Sequence, residues 1–228
     1  MLKARETSDN PLPVHSHEGK VSLQHNRRNF LRALIFGGFT VATTIPFSAG
    51  AKTTKKQPVY LYTKNVRSAT SALNISSTRW RWIVVHHSAI KYGNATIYDR
   101  AHRERGMENG LAYHFVIGNG VDSGDGEIEI GPRWRKQLNG GHVHREDMNA
   151  VGIGICMVGN FEATKPTTKQ VAALSELINY LKGATWGRKL KFTIHKEVEP
   201  GRTVCPGKNF PLVKMQMMYG KNKVPKIA

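Results

Sequence analysis

The sequence predicts a single α/β domain with a central mixed β-sheet flanked by helices. Three observations lead to this prediction. Short runs of β-branched and aromatic residues alternate with helical patterns, which is typical of a sheet covered by helices. The run at 150–160 is apolar on both faces, as a covered central strand would be. Residues 166–183 show helical periodicity with one apolar face, which suits packing against that sheet.

The first half of the domain is predicted to contain three strands and one helix. Residues 80–87, WRWIVVHH, form an aromatic and β-branched strand. Residues 95–106 read as a short helix that ends at Gly106. Residues 111–120 form a second strand that runs into a Gly-Asn-Gly turn, and residues 127–131 return from it as the other arm of a hairpin.

The central strand and the long helix carry local signals of their own. Gly152 and Gly154 mark points in the strand where another group approaches the backbone closely. Thr167 and Gln170 match a capping box at the start of the helix, and Gly183 is expected to end it. The predicted apolar face of the helix consists of Val171, Leu174, Leu177, Ile178 and Leu181.

Three further segments complete the predicted organisation. Residues 189–195 form a fifth strand, with His195 at its end. Residues 210–220 form a final helix, whose methionines are expected to fill the core. Residues 52–78 are rich in Lys, Thr and Ser and read as a linker with an edge strand.

Residues 26–51 are predicted to be a twin-arginine export signal. The pair Arg27 and Arg28 is followed by one residue and then Phe-Leu, and a mildly apolar run covers 33–47. That run of about 15 residues is shorter than the roughly 20 that a membrane-spanning helix needs. A small-residue Ala-Gly-Ala cleavage motif follows it. A buried core helix after a chance arginine pair is the alternative interpretation.

This signal would divide the chain into a signal peptide at 1–51, a linker or edge segment at 52–78 and the folded domain at 79–228. Export by this pathway predicts folding in the cytoplasm followed by a periplasmic or secreted location. No stable membrane anchor is expected after cleavage. Residues 52–228 keep 28 lysines and arginines against 13 acidic residues, a formal net charge of +15.

This positive charge predicts an anionic partner, which could be nucleic acid, acidic lipid or a cell-wall polymer. Arginine and tryptophan interleave at 79–82, and a similar mixture occurs at 133–136. Such mixtures occur in proteins that bind single-stranded nucleic acid. The predicted export argues against a nucleic-acid partner and favours the cell wall.

Three residues at or near predicted strand ends are candidate metal ligands. They are one of the pair His86 and His87, then His195, and then Cys205, which is one of two cysteines in the chain. Two imidazoles and a thiolate leave a fourth position open on zinc, as a catalytic site requires. These residues are far apart in sequence, so spacing alone favours the other interpretation, buried core histidines and a buried cysteine.

Four segments of the domain carry a family resemblance. They are WIVVHHSA at 82–89, YHFVIGNG at 113–120, GGHVHREDMNAVGIGICMVGNF at 140–161 and IHKEVEPGRTVCPGKNFP at 194–211. Together they resemble the zinc-dependent N-acetylmuramoyl-L-alanine amidases, a family that includes the peptidoglycan recognition proteins of animals. The segments follow the family's order. The resemblance implies that family's fold and makes 79–228 a zinc amidase domain.

The resemblance also implies roles for eight residues. The zinc ligands would be His86, His195 and Cys205. The catalytic residues would be Tyr113 and Thr203. The substrate-binding residues would be His142, Asn149 and Arg202. Because side chains alternate along a strand, His87 would then point away from the site.

Two positions depart from patterns that are common in the family. Thr203 stands where many phage and bacterial members carry a lysine. Cys156 stands where the bacterial anhydro-muropeptide amidases carry a carboxylate. Catalytic animal recognition proteins also combine a threonine with a tyrosine, so the expected mechanism is one assisted by Tyr113.

The implied reaction is zinc-dependent hydrolysis of the amide between N-acetylmuramic acid and L-alanine. Its substrate would be peptidoglycan or a muropeptide, and anionic wall polymers would be further partners. Two alternatives stay open. One is a non-catalytic peptidoglycan-binding protein of the same fold. The other is a disulfide between Cys156 and Cys205 in an oxidising compartment, which would destroy the metal site.

Overall fold

A computed structural model describes residues 59–76, 78–184 and 190–225. The predicted signal peptide at 1–51 lies outside these ranges. Within them, the strands are β1 (Trp82–His87), β2 (Phe115–Ile117), β3 (Ile128–Ile130), β4 (Gly152–Met157) and β5 (Lys191–Ile194). The helices are α1 (Lys64–Ser71), α2 (Ala95–Glu104), α3 (Pro132–Arg135), α4 (Glu146–Val151), α5 (Thr168–Ala184), α6 (His195–Val198) and α7 (Leu212–Tyr219).

The five strands form one mixed sheet in the order β3-β2-β4-β1-β5. β4 is parallel to both of its neighbours, β1 is parallel to β5, and β3 runs antiparallel to β2. The predicted mixed sheet, its central strand β4 and the β2–β3 hairpin are therefore confirmed. The parallel strands β1, β4 and β5 all end at the same edge, where loops can bring their last residues together.

The two faces of the sheet bury different sets of side chains. In β1, Ile83 and Val85 belong to the large core under α5, whereas Trp82 and Val84 pack on the opposite face with Met148. This alternation places His86, the next residue of the second set, on the face opposite α5. The face without α5 is therefore the one that carries a candidate site.

Helix α5 covers the sheet much as its periodicity predicted. Four of the five predicted apolar residues are buried, and Val171 is only partly covered. The capping box is present, because the Gln170 N–H donates to Thr167 Oγ1 at 2.9 Å and the Thr167 N–H donates to Gln170 Oε1 at 3.1 Å.

The final helix α7 departs from its prediction. Met215 is buried in the core, but Met217 is 83% exposed and Met218 is 49% exposed. The expectation that the methionines of this helix fill the core is wrong for these two, because only one face of α7 contacts the domain.

The second strand is shorter than predicted, because β2 begins only at Phe115. Just before it, His114 bonds to Gly154 of β4 through both its backbone and its side chain. Its N–H donates to the Gly154 carbonyl at 2.8 Å, and its Nδ1 accepts the Gly154 N–H at 3.0 Å. No helix in the described ranges is both long and apolar enough to cross a membrane.

Residues 59–76 form no strand, so the expected edge strand is wrong. They form α1 instead, and Val66 of this helix is fully buried. The carboxylate of Glu176 on α5 holds the segment that precedes α1. It accepts the Thr63 N–H at 2.9 Å, the Thr63 hydroxyl at 2.5 Å and the Leu61 N–H at 3.1 Å. The segment is thus tied to the domain core by a charged acceptor.

Replacing Glu176 with glutamine is expected to lower the free energy of unfolding by about 1–2 kcal/mol at pH 7. This is the usual contribution of hydrogen bonds to a charged group, reduced because Glu176 is partly exposed to solvent. Burial raises the pKa of Glu176, but the hydrogen bonds from Thr63 and its neighbours lower it overall. The contribution of the carboxylate is therefore present at neutral pH and disappears as the pH falls through this lowered pKa. Urea unfolding at pH 7 and pH 3.5 measures the difference.

The matched control is Glu104→Gln, which removes an exposed carboxylate at the end of α2 and should change stability by less than about 0.5 kcal/mol. A deficit of the Glu176→Gln variant that stays the same at both pH values would contradict the role given to the ionised carboxylate.

Candidate metal centre

Three side chains from three parts of the chain meet at one edge of the sheet. His86 is near the end of β1, His195 directly follows β5, and Cys205 lies in the loop after α6. One donor atom from each lies within 4.8 Å of the other two. Cys205 Sγ lies 3.8 Å from His86 Nδ1. The residues that the sequence predicted as metal ligands are therefore brought together.

The sheet topology explains how the two histidines meet. β1 and β5 are parallel neighbours, and Val85 is paired with Ile194. The residues that follow this pair, His86 and His195, therefore lie side by side. Their ring centroids are 4.6 Å apart.

Cys205 is held in place by hydrogen bonds with three other residues. Its Sγ accepts the His87 N–H at 3.3 Å, and its own N–H donates to Thr203 Oγ1 at 3.1 Å. Its carbonyl accepts the Lys196 N–H at 2.8 Å. Burial raises the pKa of the Cys205 thiol to about 12, although the His87 N–H opposes the shift. Without a cation beside it, this thiol stays protonated at neutral pH.

His87, the other member of the pair, lies on the opposite face of β1. Its Nδ1 accepts the Phe161 N–H at 3.0 Å, and its ring packs against Phe161. This is the orientation that strand alternation predicted. The side chain of His87 therefore takes part in the packing of the core and not in the group of donors.

The donor set fits a zinc ion. Zinc binds thiolate at about 2.3 Å and imidazole at about 2.0–2.1 Å, so tetrahedral angles put sulfur and nitrogen about 3.5 Å apart. The separation of 3.8 Å between Cys205 Sγ and His86 Nδ1 is close to this value. Burial, together with His142 and His195, lowers the pKa of His86 well below its usual value. His86 is thus neutral at neutral pH, the state that a metal ligand requires.

Each candidate histidine ligand has a hydrogen-bond partner on its second ring nitrogen. His86 Nε2 lies 3.1 Å from Nδ1 of His142. His195 Nε2 lies 2.9 Å from Oε2 of Glu199. In both rings Nδ1 is then the nitrogen that remains for a metal. Histidine ligands of protein metal sites have this kind of outer partner almost without exception.

Two residues predicted to bind substrate are buried. His142 is 6% exposed and lies between His86 and the Gly152 carbonyl, which its Nε2 contacts at 3.3 Å. Asn149 is 2% exposed, its Oδ1 accepts the His142 and Val143 N–H groups, and its Nδ2 donates to the Val143 carbonyl. Both ends of the Asn149 amide are hydrogen-bonded to backbone groups, so this side chain holds the loop that carries His142 and is not available to a substrate.

The group that approaches the backbone closely at Gly154, as predicted, is the side chain of His142. A Cβ on Gly154 would lie 2.2 Å from Cδ2 of His142. Glycine is therefore needed here because the His142 ring lies directly against the strand.

Tyr113 lies beside the donor group, with its ring centroid 5.2 Å from that of His86. Burial raises the pKa of Tyr113 well above its usual value, and the thiols Cys156 and Cys205 add to the shift. The phenol is therefore protonated at neutral pH and can donate a hydrogen bond. Cys156 is fully buried, and both cysteines are free, so the alternative of a disulfide between them is not what the structure shows.

An open cavity of about 590 Å³ is lined by residues that include His144, Arg145, Glu199 and Arg202, and by none of the three donors. It adjoins the donor group only through Glu199, which contacts His195. Of the predicted substrate-binding residues, Arg202 is the one on this surface, and its side chain is exposed. The lining also holds four carboxylates, and Arg145 pairs with Asp147, so Arg202 is the guanidinium group that could bind a carboxylate.

Sequence reasoning did not identify Glu199 or His144. The signal for Glu199 was its spacing of four residues from His195, which puts both side chains on one face of a helical turn. That signal was hidden because α6 has four residues, and nothing in the sequence predicts so short a helix. The sequence carried no signal for the contact between His144 and Glu199.

Comparison with known proteins agrees with the fold. Residues 76–208 match the family described as N-acetylmuramoyl-L-alanine amidase. The solved amidase LysC from Clostridium intestinale URNW is 30% identical, with a TM-score of 0.53 over 62% of this chain and 86% of that chain. Drosophila peptidoglycan recognition protein SA, at 22% identity and a TM-score of 0.52, shares the fold.

Two curated relatives are recognition proteins. Peptidoglycan-recognition protein SC2 of Drosophila simulans is 26% identical over 63% of this chain and 76% of that protein. Peptidoglycan-recognition protein SA of Drosophila melanogaster is 28% identical over 43% of this chain, and the match spans about half of that protein, 48%. The predicted amidase-like fold is thus confirmed, and the chain belongs to the N-acetylmuramoyl-L-alanine amidase family.

Proposed function

We propose that this protein is a zinc-dependent amidase that hydrolyses the bond between N-acetylmuramic acid and L-alanine in peptidoglycan. The observation that carries the proposal is the meeting of two imidazoles and one thiol within 4.8 Å in a member of this family. Three protein ligands leave a fourth position on zinc for the reaction, as catalytic zinc sites do. The likeness to the solved amidase LysC favours catalysis over binding alone.

His86, His195 and Cys205 would hold the zinc ion. A zinc ion bound there supplies Lewis acidity toward the scissile carbonyl and activates water at neutral pH. The protein contributes neutral imidazoles on a rigid sheet edge and a thiol fixed by the His87 N–H. The residues that orient these ligands lie in the loop of His142 and in the turn after α6.

Tyr113 and Thr203 would stabilise the negative charge that develops on the carbonyl oxygen. The Tyr113 phenol keeps its proton at neutral pH because burial raises its pKa. The Thr203 hydroxyl accepts the Cys205 N–H and still carries its own hydrogen for donation. One such preorganised donor is worth about 3–4 kcal/mol of transition-state stabilisation.

Arg202 is exposed in the chain segment between His195 and Cys205, where it could contact a substrate of the centre. The formal charge of +15 on residues 52–228 suits the carboxylates of stem peptides and anionic wall polymers. We assign Arg202 to carboxylate binding. His142 and Asn149 would contribute by shaping the loop beside the cavity. Export through the twin-arginine signal to the periplasm or the outside would place the enzyme with this substrate.

A second candidate function is peptidoglycan binding without catalysis. The observation that favours it is the contact of Thr203 with the Cys205 N–H, which gives this hydroxyl a structural task. The similarity to recognition proteins favours it as well. In this case the metal group would stabilise the fold, and the cavity would bind a muropeptide that remains intact.

The two functions are separated by incubating residues 52–228 with purified sacculi, with zinc and with a chelator, and identifying soluble products by mass spectrometry. The amidase predicts stem peptides with a free N-terminal alanine that appear only when zinc is present. Retention of the protein on sacculi with every muramic acid–alanine bond intact would support the binding protein and overturn the amidase.

A further inference from the structure

The carboxylate of Glu199 is buried directly behind the candidate metal centre. The residue is 5% exposed, and its Oε2 lies 2.9 Å from Nε2 of His195. His195 opens α6 and Glu199 follows its last residue, so the helical turn places the two side chains four residues apart on one face. Glu199 therefore contacts one ring nitrogen of His195 and leaves the other, Nδ1, for a metal.

Glu199 is itself fixed by a second segment of the chain. Its Oε1 accepts the backbone N–H of His144 at 2.7 Å, and its Oε2 lies 3.3 Å from Nδ1 of the exposed His144 ring. The carboxylate of Glu199 is therefore held from both sides, by His195 and by His144.

The same segment also reaches the other histidine of the centre. His142 contacts His86 directly, at 3.1 Å between ring nitrogens. Two residues further on, the N–H of His144 holds Glu199, which contacts His195. Residues 142–144 thus orient both histidines, one through an imidazole and the other through a carboxylate.

A carboxylate oxygen at 2.9 Å from Nε2 has two consequences for His195. It keeps the proton on Nε2, so the lone pair stays on Nδ1, and it limits rotation of the ring. It also makes Nδ1 a stronger ligand, because the negative charge offsets charge donated to the metal. Glu197, in the same helical turn, cannot do this, because its carboxylate contacts the Thr193 hydroxyl and the Gln216 amide.

We propose that Glu199 is a positioning residue that holds His195 in the metal-binding tautomer and orientation, with the His144 N–H fixing Glu199. The proposal rests on the zinc site of the proposed function. Loss of such an outer partner weakens metal binding about 10–100-fold in protein sites. The effect should therefore be visible in metal affinity without any measurement of turnover.

The test compares the wild type with Glu199→Gln and Glu199→Ala by competition with a zinc chelator. Zinc affinity is expected to fall about tenfold in the first variant, which keeps a neutral acceptor, and up to about 100-fold in the second. Glu197→Gln is the matched control and should stay within about twofold of the wild type. The visible spectrum of the cobalt-substituted protein should change in Glu199→Ala and not in the control.

A purely structural role would lower thermal stability without changing zinc affinity or the cobalt spectrum, and that result would overturn the proposal. Glu199→Gln has nearly the same shape as the wild type, so it keeps the test valid if Glu199→Ala fails to fold. Failure of the wild type itself to bind zinc would instead refute the proposed function, which keeps the two failures distinct.

Discussion

Replacing Cys205 with alanine is expected to abolish stoichiometric zinc binding and to lower amidase activity by about a thousandfold or more. The thiol is the single sulfur donor of the group and lies 3.8 Å from His86 Nδ1. Zinc supplies several kcal/mol of transition-state stabilisation, and each 1.4 kcal/mol or so is about tenfold in rate. Zinc per chain by atomic absorption and release of stem peptides from sacculi measure both effects.

Cys156 provides the matched control for zinc binding, because it is the other cysteine and is also fully buried. Cys156→Ala should keep one zinc per chain, since its thiol is not part of the group of three donors. Equal zinc content in Cys205→Ala and the wild type would show that the thiol is not a ligand. Loss of zinc in both cysteine variants would indicate a general loss of folding, which circular dichroism detects.

Replacing Tyr113 with phenylalanine is expected to lower kcat by about 10²–10³-fold while zinc content stays at the wild-type level. The change removes only the hydroxyl and leaves the ring 5.2 Å from that of His86. A donor that acts mainly on developing charge affects kcat more than KM. Steady-state kinetics on a soluble muropeptide separates the two constants.

Tyr98→Phe is the control for this change. Its hydroxyl donates to the Tyr92 carbonyl at 2.8 Å and to none of the three metal-ligand candidates, and its loss should cost about 1 kcal/mol of stability. Its kcat should stay within about twofold of the wild type. Wild-type kcat in Tyr113→Phe would remove this phenol from the mechanism and leave Thr203 as the candidate donor.

Much of the fold could be predicted because periodicity reports which face of an element is buried. The apolar run of β4 predicted a central strand, and the heptad-like spacing in α5 predicted its packing face. The same reasoning failed within residues 52–78, where the run VYLYT suggested an edge strand. The segment that leads into the helix found there is held by Glu176, more than 100 residues away in the sequence, and no local pattern carries that contact.

The sequence by itself determined which residues could form the candidate site. The donor group was identified from the His-His pair at the end of β1 and from the segment between His195 and Cys205. Strand alternation then placed His87 on the other face. Only the tertiary structure decided how these donors are held. The contact of Glu199 with His144 joins residues 55 positions apart, and that of His142 with His86 joins residues 56 positions apart. The contact of Glu199 with His195 depends on a helix of four residues. Such contacts follow from how the elements pack against one another. A local pattern of residues indicates which side chains are buried, but not which distant residues they contact.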